Sequence, residues 1–105
     1  MFIVFSLFIF LYWLNPSIKL EVVENFEFRF AKIYPQFTKS LVSKAQHLSP
    51  SEIKVCMCIK MSFSNIQIQE HMKISQSTLA NLRSSIRLKI GISRPTSLTN
   101  VILSI

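Results

Sequence analysis

The chain has one glycine, Gly91, in 105 residues. That excludes a glycine-rich phosphate loop and a collagen-like or linker-rich chain. It has two cysteines, Cys56 and Cys58. At i, i+2 on a helix their side chains diverge and cannot close an intrachain bridge. No further cysteine and no clustered histidine completes a zinc site, so neither metal nor cofactor is expected. Two small apolar residues in or near the core are the simpler reading, and they fit a reducing cytoplasm. His47 and His71 stand apart from any matching carboxylate spacing, and no small-molecule ligand is evident, so catalysis is not expected. Acids are scarce too: five against 12 Lys and Arg, a net charge of +7. Such a balance favours an anionic partner, either nucleic acid or an acidic membrane surface.

Charge is absent altogether from "MFIVFSLFIFLYWL", residues 1–14. As a helix this run spans roughly 21 Å at 1.5 Å per residue, short of the roughly 20 residues that a bilayer core needs. Extension to Ile18 approaches that length but includes Pro16. Tyr12 and Trp13 fall where an interfacial aromatic belt would lie. A cleaved signal peptide competes, though the basic leading region and a small-x-small cleavage site are missing. Packing on a soluble domain is the third reading. The expectation is a membrane anchor over residues 1–18. Lys19, Arg29 and Lys32 follow the run and nothing basic precedes it, so the rest of the chain should be cytoplasmic. That makes a single-pass inner-membrane protein, or alternatively a cytoplasmic one.

Residues 19–47 read as a helical lead-in interrupted by Pro35. Phe26, Phe30 and Ile33 are spaced i, i+4, i+7, and Phe37, Leu41 and Val42 give a second apolar face. "FEFRF" also alternates, which leaves a short strand open. From Leu48 onward one device recurs. "LSPSEI" has Leu48 before cap Ser49, Pro50 at the first helical position, Glu52 at the third and Ile53 closing a staple. "FSNIQI" repeats it with Phe63, cap Ser64, Gln67 and Ile68. "ISQSTL" offers Ile74, cap Ser75 and Leu79 without the acidic partner. These predict helices over about residues 50–61, 65–72 and 76–90, the last stopped by Gly91. The first should bury Ile53, Cys56 and Ile59 or neighbours, and the second Ile68 and Met72. Lys73 and Ile74 form a tight link. A fourth helix after Pro95 carries Leu98, Val101, Ile102 and Ile105 at i, i+3, i+4, i+7. The fold class is therefore all-α: a four-helix, helix-turn-helix unit over residues 48–105, preceded by a hydrophobic N-terminal helix.

This stretch resembles the C-terminal DNA-binding domain of LuxR-type (GerE-like, NarL-type) regulators. The resemblance rests on Leu48, Glu52, Val55, Ile59, Ser64, Asn65, Ile68, Ile74, Ser75, Thr78, Ile86, Lys89 and Gly91. Phe26, Phe30, Pro35, Phe37 and Leu41 look like the lead-in of a membrane-tethered, Bacteroidetes-type subgroup. The sensor region and coiled coil of those relatives have no counterpart in this sequence. Ser62, Gln67, Gln69 and Leu88 depart from the family pattern. The resemblance implies a DNA-binding transcription regulator that contacts double-stranded DNA as a homodimer. It implies dimerisation through the fourth helix, using Val101, Ile102 and Ile105. The same stripe could instead close the core of one protomer.

On a helical wheel, Leu79, Leu82, Ile86 and Ile90 share the core side of the third helix. Ser77, Asn81, Ser84, Ser85 and Leu88 lie opposite, with Ala80 beside them. Arg83 and Arg87 occupy one flank. The helix has no acidic residue, as a groove-entering helix requires. Candidate base contacts are Asn81, suited to bidentate pairing with adenine, with Ala80 and Ser84. Candidate phosphate contacts are Ser64, Asn65, Ser75, Ser77 and Thr78 at two helix N-termini, with Arg83, Arg87 and Lys89. For Arg83 the plainer reading is a stem packed at the core edge. The main alternative for the whole chain is a helical protein-interaction domain or a truncated regulator remnant that does not read DNA. Membrane-surface binding through the basic face is a third.

Overall fold

Side-chain caps start five of the six helices in the computed structural model, which describes residues 25–105. The hydrophobic run and the anchor expected of it lie outside the described residues. Among the described residues the chain is all-helical, and no helix is long and apolar enough to cross a membrane. The helices are α1 (Phe26–Ile33), α2 (Phe37–Lys44), α3 (Pro50–Lys60), α4 (Asn65–Met72), α5 (Gln76–Ile90) and α6 (Leu98–Leu103).

The described residues fall into two units divided at Pro35, the second being Gln36–Ile105. The lead-in expected over residues 19–47 is thus split, and α2 belongs to the C-terminal unit. In the first unit "FEFRF" is helical, not extended. Asn25 caps α1 by accepting from the Phe28 N–H at 2.7 Å, a local bond that the alternating pattern conceals. Phe26 and Phe30 are buried, and the Phe30 ring lies 5.4 Å from that of Tyr34. Ile33, expected on the same face, is 56% exposed.

In the second unit α3 is the centre. Val55, Cys56, Met57, Cys58 and Ile59 are all buried. Five consecutive buried residues cover every side of a helix, so α3 is wrapped rather than amphipathic. It packs against α5 and α6, and α4 packs against α5. Ile53 is half-buried, so the buried apolar run of α3 starts two residues later, at Val55. Phe37, Leu41 and Ala45 form the buried stripe of α2 and its end, whereas Val42 is 48% exposed. Leu79 and Ile86 of α5, Ile68 of α4, and Leu98 and Ile102 of α6 complete the core. The Lys60 ammonium donates to the Leu103 carbonyl at 2.9 Å and lies 6.0 Å from the centre of the Phe37 ring. It thereby meets an orphan carbonyl at the end of α6.

The cap chemistry follows the sequence closely. Ser49 and Glu52 exchange both bonds of a capping box, as do Ser64 and Gln67; Ser75 accepts from the Thr78 N–H. The C-terminal ends share a second device. After α3, α4 and α5 the N–H of Phe63, Ile74 and Ile92 donates five residues back, to Cys58, Gln69 and Arg87. That closure needs a left-handed residue just before the donor. Ser62 (φ 65°), Lys73 (φ 56°) and Gly91 (φ 82°) fill the three positions. Only the last is a glycine, and a side chain in that conformation costs roughly 1–2 kcal/mol. Ser62 is exposed and its side chain caps nothing. Ser62→Gly should therefore stabilise the domain by about 1 kcal/mol, net of the extra freedom glycine gives the unfolded chain. A urea unfolding curve should show a higher midpoint at unchanged slope. An unchanged or lower midpoint would show that the left-handed serine is not strained.

Candidate nucleic-acid interface

Helices α4 and α5 are joined by three residues, Lys73, Ile74 and Ser75. The left-handed backbone of Lys73 reverses the chain, and Ser75 restarts it by capping α5. What α5 presents to solvent is decided by how its two flanks are fastened.

One flank is tied to the loop before α6. The Arg87 guanidinium donates to the carbonyls of Ser93 (2.6 Å), Thr96 (2.8 Å) and Arg94 (3.0 Å). Arg83, half-buried one turn earlier, donates to Thr99 Oγ1 at 3.4 Å. Burial and, after it, the neighbouring Arg87 charge lower its pKa, but an arginine remains protonated. The opposite flank is tied to the start of α3. Lys89 Nζ donates to Glu52 Oε1 at 2.6 Å and to the His47 carbonyl at 2.8 Å. Burial alone would push the Glu52 carboxyl up. Hydrogen bonds from Lys89, the Ser49 N–H, Ser85 and the Ser49 hydroxyl outweigh it and hold the group at about 2.

Three cations expected at phosphates thus have partners inside the protein. Lys89 neutralises a carboxylate that is 2% exposed, and Arg87 organises a loop. Their roles could not be read from charge count, because each depends on contacts with another element. Lys73, in the turn, and Arg94, in the α5–α6 loop, are exposed cations that were not among the expected phosphate contacts. From Leu48 on, seven Lys and Arg oppose Glu52 and Glu70, a formal net of +5.

The outer face is free of such ties. Ser77, Ala80, Asn81, Ser84 and Leu88 are all exposed, Leu88 at 84%. Ala80 and Ser84 also line an open groove of about 600 Å³ between α5 and the first turns of α4. Asn65, Ile66 and Gln69 form its α4 side, and Arg83 and Arg87 also line it from α5. Asn81 stands outside this groove, on the same exposed side of α5. At the two helix N-termini Ser64 and Ser75 accept from backbone N–H groups. Ser75 also donates to Thr78 Oγ1 at 2.9 Å and lies 3.1 Å from Ser77 Oγ. These hydroxyls are pre-ordered around the start of α5, where the helix dipole favours an anion.

Two other expectations change in the structure. Ile102 is fully buried inside the protomer, and α6 ends at Leu103, so the surface there is left to Val101 and Leu103 on the helix, half-buried and 41% exposed, and to the half-buried Ile105 beyond its end. Cys56 and Cys58 are free and buried. Burial, reinforced by the Glu52 charge, pushes the Cys56 thiol up to about 12, which leaves no thiolate for chemistry at neutral pH. Among the described residues no cluster of His, Cys, Asp and Glu could hold a metal ion. No protein-family model matches the chain, and neither the curated proteins nor the solved structures contain a match to it.

The Glu52 network has a measurable consequence. Its carboxylate has a depressed pKa in the folded state, so its contribution to stability is complete above the unfolded value near 4.5 and is lost as pH falls toward 2. The urea midpoint should fall through that window, and Glu52→Gln should flatten the fall. Lys89→Met should cost about 2 kcal/mol at neutral pH, because it strips a buried carboxylate of its cation. An acid limb identical in wild type and Glu52→Gln would refute the assignment.

Proposed function

We propose that residues 48–105 form a helix-turn-helix DNA-binding unit of the LuxR type. In it α5 enters the major groove, α4 crosses the phosphate backbone, and the protein acts as a transcription regulator. The observation that carries this reading is the state of α5. Its flanks are fastened to the protein, and its outer face is exposed, uncharged and without an acidic residue. An ordinary solvated helix more often shows Glu–Lys pairs there. Asn81, Ala80 and Ser84 are the proposed base contacts. Ser64, Asn65, Ser75, Ser77 and Thr78, with the exposed Lys73 and Arg94, are the proposed phosphate contacts. Arg83 and Arg87, which also line the groove, add positive potential from the flank of α5. In this reading the chain pairs as a homodimer on DNA. The segment 1–18 tethers it to the inner face of a bacterial membrane.

A second reading has its own observation. Ile66 and Leu88, 68% and 84% exposed, offer apolar area to a protein partner instead. Duplex titrations of the full-length chain at several salt concentrations separate the two. Lys73→Ala and Arg94→Ala should each weaken binding to every sequence and lower the salt slope by about 1. Asn81→Ala should weaken only the preferred sequence. Failure to bind any duplex at low salt would sink the DNA-binding reading and leave the protein-docking one.

A further inference from the structure

We infer that the α5 surface is built to select A·T-rich duplex and lacks the free cation that reads guanine through two hydrogen bonds; this deepens, and rests on, the DNA-binding reading above. Guanine is recognised in the major groove by a cation donating to O6 and N7, usually arginine. Helix α5 has three cations. Arg87 is bonded to the carbonyls of residues 93, 94 and 96. Swinging it onto a base would give up all three of these exposed hydrogen bonds at once, each a modest loss. Lys89 is paired with a buried carboxylate on the opposite flank, and Arg83 is half-buried against Thr99. None of them stands on the outer stripe.

That stripe is Ser77, Asn81, Ser84 and Leu88, at i, i+4, i+7 and i+11, all exposed. It is about 16 Å long at 1.5 Å per residue, or about five base-pair steps of 3.4 Å. Asn81 has the donor and acceptor pair that matches adenine N7 and N6. Leu88 at one end and Ala80 beside the stripe have only methyl surface to give, and the apolar feature of the major groove is the thymine C5-methyl. Leu88 thus has a chemical role at a site where exposure of a leucine is otherwise unfavourable. Lys73 and Arg94 lie in the turn and in the loop, off the stripe, so they add affinity without sequence.

The test uses the full-length chain and a randomised duplex pool, followed by titration of the preferred duplex. The selected core should consist of A·T pairs. Replacing its thymines by uracil removes only the C5-methyl groups; this should weaken binding about threefold or more at unchanged salt slope. Asn81→Ala should reduce the preference for the selected core over a G·C core of equal length by about tenfold. Leu88→Lys should admit guanine into the selected sequences. Both positions are exposed, so the variants keep the core intact. A selected core containing guanine, or equal binding of thymine and uracil duplexes, overturns the inference while DNA binding stands. Uniform binding to all duplexes does the same. Absence of binding to any duplex overturns both.

Discussion

The Glu52 carboxylate, 2% exposed, is where three parts of the C-terminal unit meet. Its first bond closes the capping box of α3, with the Ser49 N–H donating at 2.7 Å. Its second is the 2.6 Å contact with Lys89, whose ammonium also holds the His47 carbonyl of the loop before α3. A charge so deeply buried is tolerated only when every lone pair is met. Here burial raises the pKa, and four hydrogen bonds bring it down to about 2. The carboxylate therefore fixes the entry of α3 and the last turn of α5 together. Breaking it would release the end of α5 on one side while Arg87 still held it on the other.

From that constraint the exposed surface follows. Helix α5 is held along two flanks, by the Glu52 network and by the Arg87 carbonyl cluster, and its core side is buried through Leu79 and Ile86. Three sides of a helix are then committed, and only one remains for a partner. Rigid elements hold recognition side chains more precisely than loops do. The arginines and lysine that make α5 basic are also the residues that fasten it, so the proposed recognition face is electrically quiet. In the proposed reading its affinity comes from elsewhere: pre-ordered helix N-termini, Lys73, Arg94 and a second copy of the chain.

Much of the fold was legible because the decisive chemistry is local. A serine capping three residues ahead, a proline at the first helical position and a glycine after the last turn involve neighbours in sequence, and all appear as expected around α3, α4 and α5. The caps Asn25 and Ser97 have no flanking staple to mark them in the sequence. The wrapping of α3 is unmarked too, because periodicity reports one face and five consecutive buried residues have none. The site was legible in part. The wheel separates the core side of α5 from its outer face, but it cannot say which cation is occupied. Arg87 is satisfied by a loop path, and Lys89 by a residue 37 positions away. Ile102 illustrates the same limit: one stripe serves equally for a protomer core or a dimer contact, and the structure buries it.

The central claim is that the untethered side of α5, with the adjacent start of α4, is the surface that duplex DNA covers. Amide chemical-shift mapping of the full-length chain during a duplex titration tests it directly. The account predicts shifts concentrated at Ser64, Asn65, Ser75 to Asn81, Ser84 and Leu88, with α3 and α2 quiet. Shifts centred on α2 or α6, with those amides unmoved at saturation, would contradict it.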